Sequence, residues 1–149
     1  MNGARGRVLA IDVGNRRTGL AISDATGTLA RPLEVIESHE PLGQVVRAID
    51  RLAGEDDGLA AVVVGLPKRL DGTPNDQTPR VEKFVAVLRQ RIAVPVITQD
   101  ERLTSVEAES RLAEREKDWR RRKAKLDAAA AAVILQDYLD HQPRERSGV

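Results

Sequence analysis

Asp12 sits inside an otherwise apolar run, Arg7 to Val13 (RVLAIDV), where a carboxylate is costly unless a partner compensates it. Asp100 and Glu101 follow a second short apolar run, Val94 to Thr98, and Asp127 opens an alanine-rich stretch, with Ala131, Ile134 and Tyr138 on its helical stripe. Four acids from distant parts of the chain would repel one another if gathered, and burial would raise their pKa values. A divalent cation removes that conflict. With no cysteine and only two histidines, His39 and His141, which form no cluster, the available ligands are oxygens, a set that favours Mg²⁺ or Mn²⁺ over Zn²⁺. Ions of this kind activate a water and stabilise the leaving oxygen in phosphodiester cleavage. Each acid taken alone has an ordinary alternative. Asp127 can favour the start of a helix through its dipole, Asp12 can shape the turn at Gly14, and Glu101 can pair with Arg102 at the surface. The in-strand position of Asp12 is what weighs for convergence.

Basic residues stand beside these acids in the sequence. Arg16 and Arg17 follow the Asp12 run, Lys68 and Arg69 follow the hydrophobic run Leu59 to Gly65, and Arg120, Arg121, Arg122, Lys123 and Lys125 precede Asp127. The segment Arg115 to Lys125 holds seven basic residues against two acidic ones, a net +5, so the formal charge of +1 leaves −4 for the rest of the chain. A cationic rim around an acidic centre suits phosphate contacts, although a run such as Arg120 to Lys123 can also be a solvated face. The only aromatic residues are Phe84, Trp119 and Tyr138, too few for reading single-stranded bases by stacking. If the partner is a nucleic acid, whether structured RNA or branched or single-stranded DNA, the chain should hold it by its backbone.

Positioning these residues requires a sheet. Arg7 to Val13 and Thr18 to Asp24 read as strands joined by a tight turn, and Leu33 to Glu37 completes an antiparallel meander. Pro41 to Ala53 carries Leu42, Val45, Val46, Ile49 and Leu52 at helical spacing and stops at Gly54. Leu59 to Gly65 reads as a strand buried on both faces. After a polar loop, Thr78 and Pro79 read as N-cap and first turn of a helix with Val81, Phe84, Val85, Leu88 and Ile92 on one stripe. Val94 to Thr98 is the fifth strand. Thr104 and Glu107 form a capping box for a helix through about Glu114, and the last helix spans about Lys125 to Asp140. The order predicts an α/β fold: a five-stranded mixed sheet with helices on both faces, in which the first, fourth and fifth strands are parallel. Their C-terminal ends share one edge, where ligand chemistry concentrates in open α/β sheets.

The combination of Asp12-Val-Gly, Thr18-Gly, Val64-Gly-Leu-Pro, Asp71-Gly-Thr, Asp100-Glu-Arg-Leu-Thr and Lys125-Leu-Asp127 resembles the YqgF/RuvX family. These are bacterial RNase H-like proteins described as Holliday junction resolvases or as nucleases that mature the 5′ end of pre-16S ribosomal RNA. The resemblance covers roughly Arg7 to Leu139. It implies an RNase H-like sheet of strand order 3-2-1-4-5 and places metal-dependent catalysis, with Mg²⁺ or Mn²⁺, on Asp12, Glu101 and Asp127. Asp100 and Arg102 would support them. The chain departs from the family before Asp127, where a small Asn-Lys-Gly-Lys loop is common and Arg122-Lys-Ala-Lys125 stands here.

Length and composition set the outer limits. At 149 residues, 41% hydrophobic and 32% charged, the chain suits one domain, residues 1–149, ordered over about 7–140 with flexible tails at 1–6 and 142–149. Zero cysteines exclude a disulfide framework. Residues 1–6 contain no apolar signal segment, and no apolar run is long enough to span a membrane, so the expected location is cytoplasmic, as monomer or homodimer. The leading expectation is a metal-dependent nuclease acting in 5′-end maturation of pre-16S rRNA, with Holliday junction resolution as the alternative. Two rivals come from other classes. Asp12-Val-Gly-Asn followed by Gly19 also resembles the phosphate-binding hairpin of actin-like and sugar-kinase ATPases, which hold nucleotide between two such lobes, whereas this chain provides one. A non-catalytic ribosome-maturation factor is the other.

Overall fold

The computed structural model describes residues 6–101 and 119–142, with side chains in the second segment from residue 128 onward. The helix expected from Thr104 to Glu114, Arg102 and the segments 1–5 and 143–149 lie outside the described residues. The elements are β1 (Arg7–Val13), β2 (Arg17–Ser23), β3 (Ala30–Glu37), α1 (Leu42–Ala53), β4 (Leu59–Leu66), α2 (Thr78–Arg91), β5 (Val96–Asp100) and α3 (Trp119–Asp140).

The strands form one sheet in the order β3-β2-β1-β4-β5. The β1–β2 and β2–β3 pairs are antiparallel, while β1–β4 and β4–β5 are parallel. Strand alternation divides the hydrophobic residues between two layers. Leu9, Ile11 and Val13 of β1, Leu20 and Ile22 of β2, and Val62 and Val64 of β4 pack against Val45, Val46, Ile49 and Leu52 of α1 and Val81, Val85 and Leu88 of α2. Val8, Ala10, Ala21 and Val63 point the other way, against Ala131, Ile134 and Leu135 of α3. The sheet residues on the α3 side are small, which lets that helix lie close to β1 and β2. Gln136 then ties α3 to the β2–β3 turn, accepting from the Ala30 N–H and donating to the Thr28 carbonyl, each at 2.9 Å.

Four local expectations are corrected. β3 begins at Ala30 and passes through Pro32, which is tolerated because β3 is an edge strand and its register with β2 shifts at Leu20/Ala21. β5 starts at Val96, after Pro95, so Asp100 is its last residue, paired with Leu66. Thr78 is the first residue of α2 rather than its cap; its hydroxyl donates to the Pro67 carbonyl, and the Asn75 Oδ1 accepts from the Gln77 and Thr78 N–H groups at 2.8 and 3.1 Å. The last helix begins at Trp119, well before Lys125. Its first turns are Arg, Lys and Ala, good helix formers with no Gly or Pro among them, so no residue there stops the helix.

Candidate active site

Along β1, Val8 and Ala10 enter the α3-side core, and Asp12 is next on that face. Its partner across β2 is Gly19, and the parallel register that pairs Ile11 with Val64 brings Gly65 of β4 alongside. Asp12 is therefore flanked on its own face by two residues without side chains.

Glu101 leaves the end of β5 with its N–H donating to the Leu66 carbonyl at 3.2 Å. Its side chain crosses β4 over Gly65: a Cβ placed on Gly65 would lie 2.8 Å from Glu101 Oε2 and 3.0 Å from its carboxyl carbon. The carboxyl group hydrogen-bonds with Asp12. Glu101 is only 9% exposed, and its buried Oε2 has no hydrogen-bond partner among the described residues. Burial foremost, then the Asp12 charge and hydrogen bond, then the Asp100 charge, push the Glu101 carboxyl up to about 9. Two carboxyl groups held this close in a buried place keep a proton between them.

These positions bear on the ordinary alternatives. Asp12 is a paired strand residue, not part of the turn. Glu101 is buried, not a surface acid. Asp127 lies eight residues beyond the first residue of α3, so the helix-start role no longer applies. The side chain of Asp127, like those of Arg120, Arg121, Arg122, Lys123 and Lys125, is outside the described residues, although the backbone of all six is helical. Asp100 is exposed at the end of β5 and reaches Glu101 through its charge. Among the described residues, no three His, Cys, Asp or Glu side chains are grouped to hold a metal ion; Asp12 and Glu101 are the two acids brought together.

The basic residues are placed unequally. Arg16 is exposed in the β1–β2 turn. Arg17 opens β2, with Nε 3.8 Å from Glu37, too long for a hydrogen bond. Lys68 and Arg69 stand in the loop after β4, at the same sheet edge as Asp12 and Glu101. Lys68 pairs with Pro74 in an isolated bridge, and Arg69 Nε donates to the Pro74 carbonyl at 3.1 Å. Arg80 of α2, which the sequence did not single out, donates to Asn15 Oδ1 at 2.5 Å and braces the turn that follows Asp12. Gly19 and Gly65 stand within the sequence motifs, but their place beside Asp12 was not anticipated. A glycine inside a valine-rich strand was the available signal, since it marks close approach of another group.

The sheet has the RNase H-like strand order 3-2-1-4-5, and Asp12 and Glu101 meet at the C-terminal edge of its parallel strands. The chain belongs to the RuvX family, described as Holliday junction resolvase, whose model matches residues 6–141. A protein of Chloroflexus aurantiacus named "Putative pre-16S rRNA nuclease" is 43% identical over 136 residues, covering 89% of this chain and 86% of its own. One of the same name from Roseiflexus sp. is 42% identical over 142 residues, covering 95% of this chain and 99% of its own. The solved structure of T. thermophilus RuvC in complex with Holliday junction substrate aligns with a TM-score of 0.47 at 19% identity, covering 87% of this chain and 91% of that one.

Proposed function

We propose that this protein is a divalent-cation-dependent nuclease that hydrolyses phosphodiester bonds, and that its reaction is 5′-end maturation of pre-16S rRNA in the cytoplasm. The observation that carries the reading is the buried Glu101 carboxyl against Asp12, its Oε2 unpartnered among the described residues, at the C-terminal edge of the parallel strands. Such a pair fits a hard cation. Its ligands are oxygens only, and the penalty of ionising both acids in a poorly hydrated place is offset by the positive charge. Asp12 and Glu101 would hold the ion, and Asp127 would complete the set from α3. When bound, Mg²⁺ or Mn²⁺ supplies charge neutralisation and activation of a water for attack on phosphorus.

The remaining residues serve the substrate. Arg16, Arg17, Lys68 and Arg69 lie on loops or strand starts at the same edge, where guanidinium and ammonium groups orient a phosphate backbone. Arg120 to Lys125 supply the larger positive field from α3. The scarcity of aromatics supports recognition of backbone shape over base stacking. Resolution of four-way DNA junctions is the second reading, favoured by the description of the matching family.

The deciding experiment compares wild type with Asp12→Asn on structured pre-16S RNA and on a four-way DNA junction, with Mg²⁺, Mn²⁺ or EDTA. Ion-dependent cleavage that Asp12→Asn loses is the expected result, and the preferred substrate separates the two readings. Absence of cleavage with either ion, or equal cutting by Asp12→Asn, refutes the nuclease assignment.

A further inference from the structure

We infer that Gly65 is a positioning residue for the Asp12–Glu101 pair: its missing side chain is a notch shared by Glu101 and Ile134 of α3, and this notch sets where the Glu101 carboxylate stands. The inference rests on the reading of that pair as a cation-binding centre. β4 is the middle of the three parallel strands, fixed by β1 on one side and β5 on the other, so its backbone at Gly65 cannot step aside. A Cβ there would meet Ile134 Cδ1 at 2.6 Å and Glu101 Oε2 at 2.8 Å, both closer than real Cβ atoms come. Both must give way.

Burial decides how each responds. Ile134 is wholly enclosed among Val63, Ala131 and Leu135, whereas Glu101 keeps a path to solvent at 9% exposure. Close-packed neighbours make the isoleucine's shift costly to stability, while the carboxylate, with its path to solvent, is pushed away from Asp12. Other glycines contrast with this one. A Cβ on Gly43 would touch only the end of Arg47 at 3.6 Å, and one on Gly14 would strike the Arg17 carbonyl oxygen at 2.3 Å, a backbone requirement of the turn. At Gly65 the Cβ would meet the site itself. Gly19, opposite Asp12, likewise presents no side chain on that face.

The test uses the full-length protein and three variants: Gly65→Ala, Ile134→Val, which removes Cδ1, and the double variant. Mn²⁺ affinity by calorimetry, thermal unfolding and kcat against KM on RNA are measured on each. Gly65→Ala is expected to lower Tm and to weaken Mn²⁺ binding by about 10- to 100-fold, the usual loss when a ligand's support is disturbed, with kcat reduced more than KM. Ile134→Val binds Mn²⁺ like wild type. The double variant regains Tm, because the clash with α3 is gone, but not Mn²⁺ affinity. Recovery of both in the double variant, or wild-type affinity in Gly65→Ala, overturns the inference and leaves Gly65 a packing residue. A crystal structure of metal-free Gly65→Ala reads the positioning with no ion involved. A Glu101 carboxyl withdrawn from Asp12 supports the inference, and one still bonded to Asp12 overturns it. Failure of wild type to bind Mn²⁺ would count against the proposed function, with the positioning decided by that crystal structure.

Discussion

Replacing Glu101 with Gln should make the metal-free protein more stable at neutral pH. The folded carboxyl titrates near 9 against 4.5 for the ordinary value, because it is buried and faces Asp12 and, further off, Asp100. Its folded value is the higher one, so between these limits the native state binds more proton than the unfolded chain, and stability falls as pH rises. At pH 7 the loss accumulated since pH 4.5 has a ceiling of about 3 kcal/mol, and it keeps growing toward pH 9. Glutamine fills the same space, donates an N–H toward Asp12 and carries no charge, so it removes this loss. Urea denaturation in EDTA should therefore give equal stabilities near pH 4.5 and a gap of up to about 3 kcal/mol in favour of Glu101→Gln at pH 7. The corresponding shift in Tm is about 10 °C for a chain of this size. Saturating Mn²⁺ should narrow the gap by stabilising wild type alone, by about 2.7 kcal/mol at a concentration 100 times Kd. A gap that does not change between pH 5 and 9, or a glutamine variant less stable than wild type at pH 8 in EDTA, would refute the reasoning.

Two further outcomes follow from single observations. Asp24 organises the β2–β3 turn: its Oδ1 accepts from the Thr28 and Leu29 N–H groups at 2.8 and 3.0 Å, and Thr26 donates to Oδ2. The Thr26 hydroxyl and the Leu29 and Thr28 N–H groups hold its carboxyl down at about 2. Its folded value is the lower one, so the contribution is present above pH 4 and is lost as pH falls toward 2. For so exposed a group, Asp24→Ala should cost about 1 kcal/mol at pH 7 and almost nothing at pH 2, measured by urea denaturation. Replacing Arg120, Arg121, Arg122 and Lys123 with Ala should weaken RNA binding and flatten the log K against log salt slope by about 0.7 to 0.9 for each phosphate no longer neutralised, read by fluorescence anisotropy. An unchanged slope would mean these side chains do not touch phosphates.

Much of the fold was legible because it is local. Alternating or continuous hydrophobic runs located all five strands, and the stripe Val45, Val46, Ile49, Leu52 with the stop at Gly54 set α1 to within one residue. The less accurate boundaries lie where propensity carries little information. Pro32 enters β3 because only an edge strand excuses it, and that is a property of the sheet. Trp119 to Lys125 joins α3 although no apolar stripe announces it there. Asp100 closes β5 instead of following it, because the strand lies two residues later than the hydrophobic run suggests.

The amino-acid sequence by itself determined the chemistry available: carboxylates without cysteine or clustered histidine, a basic segment offset by an acidic body, and apolar periodicities that require a mixed sheet with its parallel ends on one edge. Those properties follow from residue types and short-range spacing. The tertiary structure alone decided which acids meet. Asp12 and Glu101 are joined only because the register of β1, β4 and β5 places Gly65 between them, and that pairing depends on strands distant in sequence. It also decided that Glu101 is enclosed, with an oxygen unpartnered among the described residues, since burial is a property of the packed layers, here of α3 closing over a glycine-floored stretch of sheet.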